Sequence, residues 1–121
     1  MHCPDSTRRL RRRAATGALA LVAAFAISTA KAGDPAEGRK KAASCSGCHG
    51  MDGMAKMPNV PHIAGESEFY LTKQLRAFRA GERQDEQMSV IAQSLSDEDI
   101  DNLAAYFSSI EISVRVPTSL R

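Results

Sequence analysis

Cys45-Ser46-Gly47-Cys48-His49 is the stretch that decides the fold of this 121-residue chain. Two thiols three residues apart can add across the two vinyl groups on one edge of a porphyrin, and the residue that follows brings an imidazole beneath the iron. C-x-x-C-H is accordingly the attachment pattern of a covalently bound c-type haem. The same residues admit two other readings, because a C-x-x-C pair can form a redox-active disulfide or supply half of a zinc site. A closed zinc site needs four ligands, and the only other cysteine is Cys3. A thiol-disulfide enzyme needs a βαβ context, which residues 36–60 do not offer. The pattern favours haem.

Upstream, residues 1–32 read as an export signal to be set aside before any argument about the fold. Arg8, Arg9, Arg11, Arg12 and Arg13 form a basic start, Ala14 to Thr29 an Ala-rich apolar stretch, and Ala30-Lys31-Ala32 an A-x-A cleavage site. The alternative is an uncleaved anchor, for which that stretch is short and weakly apolar, a bilayer span needing about 20 residues. Covalent haem attachment follows export, so the signal and the motif are consistent with each other.

Residues 33–121 then form one small domain. Cores of this size are marginal, and the aromatic residues available to this one are Phe69, Tyr70, Phe78, Tyr106 and Phe107. A tethered porphyrin would supply the missing apolar volume. The overall charge of +2 misleads, because six of the sixteen basic residues lie in the export segment. From Gly33 onward ten Lys or Arg stand against thirteen Asp or Glu, a formal charge of −3. That balance gives no support to nucleic-acid binding. Local basic runs remain, Arg39-Lys40-Lys41 beside the motif and a row of Lys73, Arg76, Arg79 and Arg83; each is either a docking patch or a solvated helix face.

Helices dominate the rest. Asp34-Pro35-Ala36-Glu37 reads as a capping box with Pro at the first helical position, predicting a helix from Pro35 to about Ser44 that leads into Cys45. Ser67 caps a second, Glu68 to Ala80, with Phe69, Leu71, Leu75 and Phe78 expected to face inward and Gly81 to stop it. Ser96 opens a third to about Ser109, on which Ile100, Leu103, Ala104, Phe107 and Ile110 keep the helical period. A loop from Gly50 to Gly65 separates the first two, and a short helix carrying Met88 is expected within Glu82 to Leu95. The tail alternates Ile112, Val114 and Val116 before Pro117 and is expected to be loosely held.

Three stretches carry a family likeness: ASCSGCHGMDG (residues 43–53), PHIAGESEFYLTKQLRAF (61–78) and LSDEDIDNLAAYFSS (95–109). The chain resembles the class I c-type cytochromes, and among them the small bacterial monohaem proteins and single domains of the tandem-duplicated dihaem cytochromes. The resemblance implies an all-α fold of three main helices and a short one, wrapped around one covalently bound haem c. It implies thioether bonds at Cys45 and Cys48, His49 as proximal iron ligand, and a hydrogen bond from the His49 imidazole to the Pro61 carbonyl, a contact that fixes the ring and raises its basicity. It also implies that Gly38 and Tyr106 meet where the first and last helices cross.

The sixth iron position separates an electron carrier from a gas binder or peroxidase. Met51, Met54, Met57, Met88 and His62 are the candidates. Met51 and Met54 follow His49 too closely to reach the opposite face, and Met57 lies on the loop running toward Pro61. Met88 follows a complete helix and matches the family's ligand Met, giving His49 and Met88 as the metal ligands; a core methionine and a bis-His haem through His62 are the competing readings. The implied function is a soluble periplasmic monohaem carrier of single electrons, not an enzyme. Its partners would be a transient redox donor and acceptor, with no membrane association required, and the chain either a monomer or part of a redox complex. The alternatives are a haem-bearing subunit of a larger dehydrogenase or oxidase complex, and a small haem peroxidase.

Overall fold

Local capping sets where each helix begins. The computed structural model describes residues 32–120; the export segment as far as Lys31, with Cys3, lies outside the described residues, as does Arg121. Helix α1, Pro35–Lys41, starts at the Asp34 carboxylate, which accepts from the Ala36 and Glu37 N–H groups. Only half of the expected capping box forms. The Asp34 N–H donates 2.7 Å to Asn102 Oδ1 in the last helix, and Glu37 instead pairs with Lys40. A distant side chain has displaced the local partner, which ties the start of α1 to the other end of the chain.

The helix does not run unbroken to Ser44. It tightens into a 3-10 turn, Ala42–Cys45, followed by the single turn α2, Ser46–His49. The change in pitch carries Cys45, Cys48 and His49 round successive turns. The loop that follows folds back on α2, the Lys56 N–H donating to the Cys48 carbonyl oxygen at 2.8 Å.

Helix α3, Glu68–Ala80, begins where Ser67 accepts from the Tyr70 N–H and ends at Gly81, whose φ of 76° suits a residue without a Cβ. Leu71 and Phe78 are buried and Leu75 packs against the core, but Phe69 is 79% exposed. The expectation for Phe69 fails on the period. At about 100° per residue Leu71, Leu75 and Phe78 fall on one face, and Phe69, two residues before Leu71, falls on the opposite one.

Helix α4, Met88–Gln93, is the expected short helix, and Met88 is its first residue. Helix α5, Asp97–Ser108, has a complete capping box: Ser96 accepts from the Asp99 N–H, and Asp99 accepts from the Ser96 N–H. Ile100, Leu103, Ala104 and Phe107 are buried along it and Ile110 packs at its end. It is the central element, with α1 and α3 packed against it and α4 against α3. Among the described residues there is no strand, and the fold is all-α. The tail leaves Ile112, Val114 and Val116 exposed without pairing before a 3-10 turn, Thr118–Leu120. No helix among the described residues is long and apolar enough to cross a membrane.

The core is thin. Ile100 and Leu103 are the largest fully buried side chains among the described residues. Leu71, Leu75, Phe78, Leu103, Ala104 and Phe107 also line a cavity of about 310 Å³ as its apolar wall.

Candidate haem site

Two neighbouring cavities form the site. The larger is lined by those apolar side chains together with Cys45, His49, Pro61 and Met88. The smaller, about 210 Å³, is lined by Cys45, Cys48, His49, Pro61 and Met88 together with Val60, Asp85 and Ile91. The five residues singled out in the sequence thus share one cavity, although they come from four different segments of the chain.

His49 is 7% exposed, and its Nδ1 lies 3.0 Å from the Pro61 carbonyl oxygen. A carbonyl only accepts, so Nδ1 carries the proton and Nε2 keeps its lone pair. That is the tautomer a metal-binding imidazole needs. Cys45 and Cys48 are free thiols with no disulfide between them. Burial pushes the Cys45 thiol up from its ordinary value, with Ser44 and Lys41 only partly opposing. A redox-active C-x-x-C pair depends on a depressed thiol. Cys45 has the opposite environment, which weighs against the disulfide reading. Among the described residues no three His, Cys, Asp or Glu side chains group as a metal cluster, which leaves the zinc reading without its ligands there.

The methionine candidates separate cleanly. Met54 and Met57 are each 41% exposed, and neither borders either cavity. Met51 packs against the core, its carbonyl oxygen accepting from the Tyr106 hydroxyl. Met88 alone of them lines both cavities. His62 borders the larger one, but its Nδ1 accepts from the Ala55 N–H at 2.8 Å. Its proton is then on Nε2, and neither ring nitrogen offers a lone pair to a metal. Its place is that of an exposed loop tie.

This donor set fits a porphyrin that Cys45 and Cys48 would hold by thioether bonds and whose iron His49 and Met88 would hold. Apolar side chains line the cavities together with two thiols, an imidazole with one nitrogen already committed, and a thioether on a separate helix. Sequence reasoning missed Asp85, which borders both cavities and accepts from the Gln87 and Met88 N–H groups. Its only signal was an Asp three residues before Met88. Asn102 was missed as well, and no local pattern announces a bond spanning 68 residues.

The basic runs are largely paired within the chain. Lys40 meets Glu37 at 2.6 Å, Lys41 meets Asp99 at 3.0 Å, Arg76 meets Asp101 at 2.9 Å, and Arg79 pairs with Asp97. Arg83 lies over the Phe78 ring at 4.5 Å and bonds the Gln74 side chain. This favours the reading of both runs as helix faces over that of unopposed positive patches.

Comparison with known proteins points to one family. The family model for cytochrome c matches residues 35–111. Cytochrome c4 of Pseudomonas aeruginosa is 46% identical over 83 residues, which are 69% of this chain and 41% of that one. Cytochrome c-554(548) of Halomonas halodenitrificans is 45% identical over 83 residues, 66% of this chain and all of that protein. The crystal structure of reduced recombinant cytochrome c4 from Pseudomonas stutzeri superposes with a TM-score of 0.64 at 42% identity, covering 69% of this chain and 48% of that one. The chain therefore spans about half or less of the length of the cytochrome c4 relatives it matches.

Proposed function

The chain belongs to the cytochrome c family, and from that membership we propose that it is a periplasmic monohaem electron carrier in which Cys45 and Cys48 tether haem c and His49 and Met88 are the axial ligands. The observation that carries this reading is the sharing of one cavity by these four residues and Pro61. Bound there, haem c supplies a one-electron couple at its iron.

Everything else is the work of the chain. The Pro61 carbonyl holds the His49 ring in one orientation and raises the basicity of Nε2. The Met88 thioether would favour the reduced iron, and the wall of Leu71, Leu75, Phe78 and Phe107 would keep water from the charge of the oxidised form, both raising the potential. With His49 and Met88 both committed to the iron, no position would be left for a substrate, which favours a carrier over a catalyst. Exchange with donor and acceptor takes place in brief encounters at the edge near Cys45 and Cys48, where the exposed Ile91 lines the same cavity as Met88. Residues 1–32 direct export, which an amino-terminal sequence of the secreted protein beginning near Gly33 would establish.

The decisive experiment has two parts. Acid-acetone extraction followed by the pyridine spectrum of the denatured protein should leave a c-type spectrum on the polypeptide. Met88→Ala should keep the haem, lose the weak sulfur-iron charge-transfer band of the oxidised protein and bind carbon monoxide. Haem that is extracted would sink the covalent reading, and an unchanged spectrum in Met88→Ala would remove Met88 from the iron.

A further inference from the structure

We propose that Asp85 is the positioning residue of the distal ligand, clasping the turn that presents Met88 to the iron; this rests on the assignment of Met88 made above. Helix α4 begins at Met88, and the Gln87 side chain gives it no cap. The cap comes from further back. Asp85 Oδ1 accepts from the Gln87 N–H at 3.0 Å and from the Met88 N–H at 2.9 Å. In return the Asp85 N–H donates to Ser89 Oγ at 3.0 Å, and the Ser89 N–H donates to the Asp85 carbonyl oxygen at 3.1 Å. Residues 85–89 are closed from both ends, with Met88 inside the loop of bonds. The Met88 N–H, and then that of Gln87, hold the Asp85 carboxyl below its ordinary value, as two donors on one charged acceptor should.

The arrangement bears on ligation and not only on helix stability. Helix α4 has six residues, too few to hold its own first turn without a cap. Met88 is the first of them, so fraying of that end would displace the one side chain that must reach the metal. Asp85 also borders both cavities beside Met88. A group that fixes a ligand's backbone acts as hydrogen-bond partners of metal ligands commonly do, without touching the metal itself.

The test is imidazole affinity of the oxidised holoprotein, read from the Soret shift together with the sulfur-iron charge-transfer band. Asp85→Ala should bind imidazole about tenfold more tightly than the wild type, with a weakened band, the scale usual for loss of a ligand's supporting partner. Asp85→Asn keeps an acceptor oxygen and caps nearly as well, so it should restore near-wild-type affinity. Ser96→Ala removes a cap of the same kind from α5, and should lower thermal stability without moving imidazole affinity. If Asp85→Ala does no more than Ser96→Ala while Met88→Ala opens the iron, the proposal for Asp85 is overturned and the Met88 assignment stands. If Met88→Ala itself binds imidazole no better than the wild type, both fall. Should Asp85→Ala fail to accumulate as holoprotein, Ser89→Ala opens the other half of the clasp: raised imidazole affinity supports the proposal, and wild-type affinity overturns it.

Discussion

Gly38 of α1 and Tyr106 of α5 meet so closely that a Cβ on Gly38 would stand 2.8 Å from the Tyr106 Cβ and 1.9 Å from the Asn102 carbonyl oxygen. The second contact is with backbone, which cannot swing aside as a side chain can. Gly38→Ala must therefore push α1 off α5 at the crossing that also anchors Asp34 to Asn102. We expect a loss of about 3 kcal/mol, at the upper end of the cost of overpacking, measured by denaturant unfolding of the holoprotein. A change below about 0.5 kcal/mol, the usual range of surface substitutions, would show that the two helices part easily.

Tyr106 has a second role on its other side. Its hydroxyl donates 2.7 Å to the Met51 carbonyl oxygen, holding the loop after the haem motif against α5. Tyr106→Phe keeps the ring and leaves that partly buried carbonyl without its donor. The expected cost is about 1 kcal/mol, seen as a lower unfolding midpoint with the denaturant slope unchanged. An unaltered midpoint would mean that water replaces the hydroxyl without loss.

Asp99 gives the fold an acid dependence whose sign can be worked out. Its carboxyl is held below the ordinary 3.8, first by the Ser96 N–H and then by Lys41. A carboxylate depressed in the folded state contributes stability that is present above its unfolded pKa and lost as pH falls through the folded value. As pH falls below about 4, the unfolded-state value, the melting temperature of the wild type should therefore fall more steeply than that of Asp99→Asn, which keeps an acceptor but cannot titrate. Parallel curves for the two proteins would exclude this contribution.

How much of this the sequence discloses depends on how local each cause is. Ser67, Ser96 and Gly81 act within a turn of their own position, so α3 and α5 could be bounded before any coordinates. The attachment motif is five consecutive residues and carries its chemistry with it. Phe69 shows the limit of reading a helix face from apolar residues alone, because the helical period puts this aromatic on the exposed face opposite Leu71 and Phe78. Glu37 matched a capping pattern whose other half Asn102 had taken from across the fold. Asp85 lies outside the short helix it caps, where no periodic signal exists to draw notice. What stayed hidden was long-range or fell between elements.

The dependence of the fold on its cofactor is open to a direct test. Leu71, Leu75, Phe78 and Phe107 border a cavity, and Ile100 and Leu103 are the largest side chains buried completely among the described residues. A domain this small has little stability to spare, and whatever binds only the folded state contributes to it directly. Replacing Cys45 and Cys48 together by Ser removes both proposed tethers while barely altering volume, and His49→Ala removes the proposed proximal ligand. Little holoprotein should accumulate from either, and the haem-free chain should show neither a cooperative thermal transition nor the helix content of α1, α3 and α5 in circular dichroism. A sharp melting transition in the haem-free double variant would mean that the side chains close over the cavity by themselves, and that the apolar wall serves the redox potential more than the fold.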